Sequence, residues 1–369
     1  MENINASKYL LAFILCYMIA TEQHHTAWME ALRYEASNLS NEDIPGTFVW
    51  LVINEKFVVS FAAIMKMQGT FFDSLESMDS YLHYLPASYD AAKELMQYAV
   101  EQSHQFNENE ICPIAAVKLL PPVPNPAALI DFGLTPRHLR NAGVNLLQRE
   151  YTGPEREELK QKIAEKFQQD PNKVTFSYYK CNHNALIGDG DTIHWPSYSS
   201  YLDIEPELAF VTGKGNCIAG YVIFNDSTVR DVQWPDFQAL TGPTRCKDFD
   251  RSKGIGPFLV TPDEIDNPLA LDVDVRIGER LHWKGSTSEY STHPAKVMEE
   301  VLKVFTPLPG TIIGMGTIPD CCAIETEQWL LPSDRILITF DKLGTLTQLV
   351  PDHVKITEPS RWEKRIDFP

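Results

Sequence analysis

The sequence has little of three things: positive charge, long apolar segments and paired cysteine motifs. Its 369 residues include 50 acidic and 32 basic ones, a formal net charge of −18. This excess of negative charge repels a phosphate backbone or an anionic membrane surface, so we expect neither nucleic acid nor membrane as a partner. The seven cysteines show no CxxC spacing, and adjacent Cys321 and Cys322 pair poorly with each other. They predict free thiols in a reducing compartment, and hence a cytoplasmic protein.

One apolar run, Tyr9 to Ala20, bears on localisation. It is shorter than the roughly 20 residues that a bilayer span needs, although a secretory signal has an apolar region of this length. Glu2 precedes the run, and no small residue stands at the −3 position of a cleavage site. We favour a buried strand or helix, and targeting by residues 1–20 stays open as the alternative.

The composition predicts a globular chain with a sizeable core, since 44% of the residues are hydrophobic and 22% are charged. The length predicts one large domain and a smaller one. A β-hairpin is indicated over Thr47 to Ala63, joined at residues 54–56, and an amphipathic helix over Tyr89 to Gln105. Four prolines between Leu119 and Pro126 predict a stiff extended linker. We therefore divide the chain into an N-terminal extension, a small N-terminal domain and a large domain, at residues 1–43, 44–118 and 119–369.

The large domain has the pattern of a β-rich core. A helix is expected from Pro154, with Thr152 as its cap. From Asp203 onward, short apolar runs alternate with glycine, proline and aspartate, which indicates a sheet-rich core rather than a βαβ repeat.

Three carboxylates of the large domain indicate a cation site. Glu205 and Glu207 are two residues apart, so on a strand they share one face, where like charges are costly unless a cation lies between them. Asp226 ends another apolar run about twenty residues later. Carboxylate oxygens suit Mg²⁺ or Ca²⁺. On spacing alone, a solvated acidic strand face is the alternative.

Five ordered blocks between about Ala116 and Val350 resemble the fumarylacetoacetate hydrolase family. The first block is LLPPVPNPAALIDF and the second is DIEPELA. The third begins at AGY, passes through ND and ends at RDVQ. The fourth combines KDFD with GPFLVT, and the fifth combines PGTII, GT and LGTL. The resemblance implies a mixed α/β, β-rich fold. It would consist of a rolled mixed β-sheet catalytic core of the fumarylacetoacetase type, behind a small N-terminal β-containing domain. It also implies a homodimer.

The resemblance implies a set of site residues as well. Mg²⁺ or Ca²⁺ would be held by four carboxylates: Asp131, Glu205, Glu207 and Asp226. His138 would be the general base, oriented by Glu325, with Glu327 close behind as the alternative. The oxyanion and the leaving group would be served by three polar residues: Arg230, Gln233 and Lys247. Substrate contacts would come from Tyr179, Arg251 and Thr317.

Arg251 stands where the family commonly has a threonine near the metal. If it lies near the metal, its fixed positive charge predicts a substrate with more negative charge than a simple acylpyruvate. The alternative is that Arg251 points outward and pairs with a surface acid such as Asp250 or Asp263. The expected reaction is metal-dependent hydrolysis of a C–C bond in a 1,3-dicarbonyl, fumarylacetoacetate-like acid. The alternatives are hydration, decarboxylation or isomerisation of a 2-oxo acid on the same site, and a lapsed member that binds metal and ligand without turnover.

Overall fold

The structure is a computed structural model that describes residues 14–20, 48–53, 57–102, 106, 111–167, 176–240, 242–363 and 365. Strands and helices are numbered along the chain. The described residues form a 12-stranded sheet, a five-stranded sheet and a two-stranded ribbon.

The large sheet contains strands from both ends of the chain. Its members are β1 (Ile14–Ala20), β2 (Phe48–Ile53), β3 (Phe57–Ser60), β4 (Ile111–Pro113), β5 (Val117–Leu120), β6 (Ala128–Phe132), β7 (Tyr178–Lys180), β8 (Leu186–Ile187), β11 (Pro206–Thr212), β12 (Ile218–Asp226), β14 (Lys253–Val260) and β17 (Thr311–Thr317). Their spatial order is β4-β3-β2-β1-β14-β12-β11-β17-β6-β7, while β5 pairs with β1 and β8 with β14.

The remaining elements complete the architecture. The smaller sheet has the order β16 (Leu281–Ser286), β15 (Asp272–Ile277), β18 (Arg335–Phe340), β19 (Gly344–Leu349), β9 (Asp191–Thr192), and the ribbon pairs β10 (Leu202–Asp203) with β13 (Thr228–Val229). The helices are α1 (Phe61–Gln68), α2 (Met78–His83), α3 (Ala87–Glu101), α4 (Pro136–Glu150), α5 (Gly153–Lys166), α6 (Gln233–Gln238), α7 (Thr244–Lys247), α8 (Pro294–Leu302) and α9 (Ala323–Thr326). Helices α1, α2 and α3 pack on one side of the large sheet, and residues of α4, α8 and α9 belong to the core on its other side.

The large sheet separates two apolar cores. Along β11, Leu208 and Phe210 pack into the core shared with the smaller sheet, whereas Ala209 and Val211 pack into the core shared with α1, α2 and α3. This alternation follows from the two-residue period of a strand. The described sheet pairs are mostly antiparallel, and β17 with β6 is one of the parallel pairs. The predicted sheet-rich architecture without a βαβ repeat is confirmed.

Several local predictions are confirmed within the described residues. Residues 14–20 form a strand, one of the two elements expected there, while residues 9–13 lie outside the described part. The hairpin exists as β2 and β3, and its joint at 54–56 lies outside the described residues. Its second strand ends at Ser60 rather than Ala63, because helix α1 begins at Phe61. The amphipathic helix is α3, whose buried face includes Ala92, Leu95 and Ala99. Residues 103–105, at the end of the predicted helix, also lie outside the described residues.

Two local predictions need correction. Thr152 occupies the N-cap position of α5, but its side chain makes no capping hydrogen bond. The predicted linker begins too early, because Leu119 and Leu120 belong to β5, and only the proline-rich residues after them leave the sheet. The division after residue 118 stays a prediction, and strand β1 pairs with β5 as well as with β14 across it.

Among the described residues, no helix combines the length and the apolar character that crossing a bilayer requires. The cysteines whose side chains are described are free thiols: Cys181, Cys217, Cys246, Cys321 and Cys322.

Candidate functional site

Three acidic side chains meet on the helix-facing side of the large sheet. Each of them lies two residues from an apolar side chain on the same strand, and that apolar side chain packs into the core shared with α1, α2 and α3. The pairs are Asp131 with Leu129 on β6, Glu207 with Ala209 on β11, and Asp226 with Phe224 on β12. Residues two apart on a strand share a face, so the three carboxylates point to the same side. Each offers an oxygen within 4.8 Å of the other two. We call these three residues the carboxylate cluster.

The carboxylate cluster is buried and short of positive partners at one end. The Asp131 Oδ1 atom is buried and has no hydrogen-bond partner. Burial, and then the charge of Asp226, raises the pKa of Asp131 to about 7. Burial and the neighbouring Asp131 carboxylate likewise raise the pKa of Glu207 well above its usual range. Together these two side chains favour a shared proton or a bound cation.

Gly314 leaves the space in which the carboxylates of Asp131 and Glu207 lie close together. Strand β17 lies between β11 and β6, and Gly314 on β17 pairs with Asp131. A Cβ at position 314 would lie 2.5 Å from Asp131 Oδ1 and 2.9 Å from Glu207 Oε2. No real Cβ tolerates such contacts, so this position needs glycine. Two residues later on the same strand, the backbone N–H of Gly316 donates to Glu207 Oε2 at 2.8 Å. The hydroxyl of Thr317 lies 3.4 Å from Glu207 Oε1, which brings this predicted substrate-binding residue to the cluster.

Glu205 stands beside the cluster rather than within it. The ammonium of Lys247 donates to its Oε2, and Nη2 of Arg230 lies 2.7 Å from its Oε1. Burial alone would raise the Glu205 pKa, but these two cations outweigh it and hold the pKa well below its usual range. The structure therefore joins three of the four expected metal ligands and pairs the fourth with protein cations.

His138 and Glu325 form a buried pair next to Glu205. The Nδ1 atom of His138 is 2.7 Å from Glu325 Oε1, and its Nε2 atom is 3.6 Å from Glu205 Oε1. Burial would lower the His138 pKa, but the two carboxylates raise it to about 9. Glu327, the alternative partner, is instead exposed and paired with Arg149. Of the two glutamates, the structure brings Glu325 to the base.

Two residues that sequence reasoning missed hold Glu325 in place. Asp203 accepts the backbone N–H groups of Ala323 and Ile324, at the first turn of α9, where Glu325 lies. Asn141 Nδ2 donates to Glu325 Oε2 at 3.0 Å. Asp203 belongs to the acidic block, and Asn141 lies three residues after His138, so both were visible as polar neighbours of predicted residues.

Arg230 ties the acidic strands to the helix that follows it. Its Nε donates to Asp203 Oδ2 at 2.8 Å, and its Nη1 donates to Gln233 Oε1 at 3.0 Å. The side chains of Arg230 and Gln233 are both buried. The structure thus brings the predicted polar pair together and next to Glu205.

Asp226 is surrounded by three donors. Lys247 and the hydroxyl of Tyr179 donate to Oδ2, the latter at 2.6 Å, and Lys253 donates to Oδ1. Along the sheet, Tyr179 on β7 is four strand steps from Asp226 on β12. That would be about 19 Å in a flat sheet, far beyond one side chain, so the sheet must curl to close this contact. Sequence reasoning missed Lys253, whose only signal was its place on an apolar strand.

The structure does not bring Arg251 to the carboxylates. Its Nε donates to the backbone oxygen of Thr192 at 2.9 Å, its Nη2 lies 3.8 Å from Asp191, and its side chain is 49% exposed. Its backbone has a φ of +55°, in the left-handed region. The side chain therefore points outward and lies near a surface acid, as the alternative expected, and its role as a substrate contact stays a prediction.

The residues of the carboxylate cluster fit a divalent cation. All of its donors are oxygens, the set preferred by Mg²⁺, Ca²⁺ and Mn²⁺. The partnerless Asp131 Oδ1 and the space left by Gly314 lie at the same end of the cluster. A cation there would satisfy an oxygen that the protein leaves unpaired.

Comparison with known proteins was made for the sequence and for the fold. The profile of the family "Fumarylacetoacetate (FAA) hydrolase C-terminal" matches residues 151–351, more than half of the chain. An uncharacterized protein of Staphylococcus saprophyticus is 30% identical over 181 residues, which are 46% of this chain. The chain spans 59% of that relative's length.

Two solved structures share the fold. One is a maleylpyruvate hydrolase from Sphingobium sp. SYK-6 in complex with manganese(II) and pyruvate, with a TM-score of 0.57, 19% identity, and coverage of 83% of this chain and 96% of that one. The other is a probable 2-hydroxyhepta-2,4-diene-1,7-dioate isomerase from Mycobacterium abscessus, with a TM-score of 0.57, 24% identity, and coverage of 83% and 95%. Both likenesses confirm the predicted mixed α/β, β-rich fold with a curled sheet.

Proposed function

The chain belongs to the fumarylacetoacetate hydrolase family, and from this premise we propose that it is a divalent-metal-dependent hydrolase of a C–C bond in a 1,3-dicarbonyl acid. The observation that carries the proposal is the carboxylate cluster beside a buried His138–Glu325 pair. Such a reaction needs a cation for the dicarbonyl oxygens, a base for water and a donor for the leaving carbon. The site offers residues for each role.

Asp131, Glu207 and Asp226 are the residues that would hold Mg²⁺ or Ca²⁺, with Glu205 beside them. The ion, when bound, supplies positive charge to the two oxygens of the 1,3-dicarbonyl group. The manganese and pyruvate named for the Sphingobium structure support an oxo acid as the substrate class.

His138 is the proposed general base. It takes a proton from water while the water oxygen bonds to a substrate carbonyl carbon. Glu325 accepts the hydrogen bond from Nδ1, so it fixes the ring and stabilises the imidazolium that forms. The pair therefore generates the nucleophile at a defined nitrogen, Nε2, which faces Glu205.

The buried cations serve the second half of the reaction. The C–C bond next to the attacked carbon breaks, and its electron pair remains on the departing carbon as an enolate. Arg230 and Lys247 lie on the Glu205 side of the site, where their charges stabilise the developing oxyanion. A proton from Lys247 then reaches the departing carbon, so the products are a carboxylic acid and a ketone. Return of the His138 proton to Lys247 through solvent restores both groups.

Hydration, decarboxylation or isomerisation of a 2-oxo acid is the second candidate. The Mycobacterium abscessus structure supports it, because a fold equally similar to this one is described as a probable isomerase. An isomerase or hydratase leaves the carbon skeleton whole, a decarboxylase releases carbon dioxide, and a C–C hydrolase releases two organic fragments. Product analysis therefore separates these reactions.

The test uses the full chain, freed of metal by chelation and then supplied with Mg²⁺, Ca²⁺ or Mn²⁺. A panel of acylpyruvates and dicarboxylic 1,3-diketones is followed by the loss of enol absorbance and by NMR of the products. We expect two fragments, formed only with the cation. Asp131→Asn should abolish turnover, whereas the matched variant Asp266→Asn, at a side chain that is 90% exposed, should not change it.

Other outcomes would replace the proposal. Full activity in chelator would exclude a metal-dependent reaction. Products with an unbroken carbon skeleton would favour the second candidate. Cation and oxo-acid binding without turnover of any panel member would identify a lapsed enzyme.

A further inference from the structure

Lys253 is a buried cation at the site for which the proposed mechanism has no use. Its side chain is fully buried on β14, opposite Asp226 on β12 in the register of the two strands. Its ammonium donates to Asp226 Oδ1 and to the hydroxyl of Tyr179, the latter at 3.0 Å. Asp248 Oδ1 lies 3.5 Å from the same ammonium.

The position of Lys253 differs from that of Lys247. Lys247 ends the short helix α7 and bridges Glu205 and Asp226, so it faces the side of the site where substrate chemistry is proposed. Lys253 instead lies within the large sheet and contacts the other carboxylate oxygen of Asp226, Oδ1. A charge held by a central strand, with no access to solvent, cannot move away when a second cation arrives.

Asp226 is thereby shared between a protein cation and any metal. A carboxylate lone pair that already accepts from an ammonium offers less negative potential to a divalent ion. Two positive charges that share one buried carboxylate also repel each other, and salt screens buried charges poorly. A buried lysine at this place must therefore lower the affinity of the carboxylate cluster for a divalent cation.

We propose that Lys253 is an affinity-setting residue of the cation site: it holds Asp226 and keeps divalent-cation binding weak and exchangeable. The inference rests on the proposed function in one respect, that the carboxylate cluster binds a divalent cation. Occupancy of the site would then follow the free cation concentration rather than remain permanent. Lys253 acts through Asp226 and is a positioning residue, not a catalytic one.

The direct test measures Mn²⁺ binding to the metal-free full chain by the loss of the free Mn²⁺ signal in EPR, with no substrate present. Lys253→Gln removes the charge but keeps an amide that can donate to Asp226 and Tyr179. We expect its Mn²⁺ dissociation constant to fall at least about tenfold, because the repelling charge is gone. Lys253→Arg keeps the charge and should remain near the native value.

A matched control addresses the general effect of removing a positive charge. Lys118 forms an ion pair with Asp191 at 2.9 Å, but its side chain is 52% exposed. Lys118→Gln removes the same charge outside the site, so its Mn²⁺ affinity should equal that of the native chain. An equal gain in both glutamine variants would show a nonspecific charge effect and overturn the proposal.

A second variant keeps the proposal testable if Lys253→Gln does not fold. Asp248 Oδ1 lies 3.5 Å from the Lys253 ammonium and neutralises part of its charge, and the Asp248 side chain is partly exposed. Asp248→Asn therefore leaves more of the lysine charge to act on the cluster and should weaken Mn²⁺ binding severalfold. Unchanged or tighter binding in this variant would overturn the proposal.

The outcomes separate this inference from the proposed function. If the native chain and Lys253→Gln both bind no Mn²⁺, the cation site itself is wrong and both proposals fall. If the native chain binds Mn²⁺ and Asp131→Asn does not, but Lys253→Gln binds no tighter than the native chain, the cation site stands and only the role of Lys253 is wrong.

Discussion

Gly314 shows how one missing side chain makes room for two charged ones. An added methyl group would lie 2.5 Å from Asp131 Oδ1 and 2.9 Å from Glu207 Oε2, so Gly314→Ala must push the carboxylates apart. We expect Mn²⁺ affinity to fall about 10- to 100-fold, the range for disturbed support of metal ligands. Calorimetric titration of the metal-free chain measures it.

The control for this substitution is Gly143→Ala in α4, where the new methyl group would meet only the Ile163 side chain, at 3.2 Å. That variant should bind Mn²⁺ like the native chain. Native affinity in Gly314→Ala would show that the carboxylates do not need this space.

His138 is the residue on which the proposed chemistry depends most. His138→Ala should lower kcat by about 10²- to 10⁴-fold, the usual loss with a general base. Mn²⁺ binding should persist, since the carboxylate cluster does not include this ring. Steady-state kinetics and EPR on the same preparation separate the two effects.

The comparison variant for the base is His282→Ala. His282 also pairs with a carboxylate, that of Asp274, but its side chain is 43% exposed on β16. It should retain native kcat. If His138→Ala also retained native kcat, another group would have to be the base.

At the scale of elements, the short helix α9 is held by one buried aspartate. Asp203 caps the backbone N–H groups of Ala323 and Ile324 and pairs with Arg230, so it links the acidic strand region to the helix that carries Glu325. A four-residue helix has little stability of its own, because most of its backbone groups lack helical partners. The place of Glu325 therefore depends on Asp203.

Asp203→Asn should lower the free energy of unfolding by about 3 kcal/mol, since it leaves the buried Arg230 short of a counter-charge. It should also lower kcat and move the acidic limb of the pH–rate profile to lower pH, because a displaced Glu325 no longer raises the pKa of the general base His138. Urea unfolding and the pH profile measure the two effects.

Asp334 offers a matched control with the same kinds of partner. It accepts from Arg280 at 2.6 Å and from the backbone N–H of Leu331 at 2.7 Å. Asp334→Asn should cost stability without moving the pH profile. A native profile in Asp203→Asn would mean that Glu325 keeps its place without the cap.

The sheet is the element that unites the two predicted domains. Strand β1 pairs with β2 and β5 from the predicted small domain and its border, and with β14 from the large one. Because β14 carries Lys253, the early strands continue the same sheet that presents the site. The division at residue 118 thus remains a prediction about which parts of the chain fold as units. The backbone hydrogen bonds of the sheet join strands from both sides of that division.

At the scale of the whole molecule, the carboxylate cluster links stability to pH and cation. The pKa of Asp131 is about 7 in the folded chain and about 4 when unfolded, so the folded state holds this proton more strongly. The resulting stability is fully present below about pH 4 and is lost as the pH rises through about 7. Glu207 and His138 also have raised pKa values in the folded chain, and their stabilising contributions are lost over the same rise in pH, so the difference between the native chain and an Asp131 variant isolates this group.

The metal-free chain should therefore lose at least about 1 kcal/mol of unfolding free energy between pH 5 and pH 8 from this group. Excess Mn²⁺ should restore it at pH 8 and have little effect at pH 5, because protons displace the cation. Denaturant titrations across the range measure both. Asp131→Asn should show a smaller loss and no cation effect, and a native-like pH dependence in that variant would contradict the assignment.

The features that rest on local periodicity and on ordered motifs could be predicted before any coordinates were known. The hairpin of β2 and β3, helix α3 and the β-rich core followed from apolar spacing, which a strand or helix expresses whatever surrounds it. The family resemblance, confirmed by the matching profile, rested on blocks whose order in the chain is visible without coordinates. Glu205 and Glu207 were recognised as candidate metal ligands because residues two apart on a strand point to the same face.

Tertiary structure alone decided which charges meet. Lys253 faces Asp226, and Gly314 makes room for Asp131, because of strand order and register, which no local pattern specifies. Arg251 turns outward because its backbone enters the left-handed region, so proximity in sequence to Lys247 did not place it near the cluster. Long-range pairing and the curl of the sheet bring distant residues within hydrogen-bond reach, and a buried site is defined by those contacts rather than by spacing along the chain.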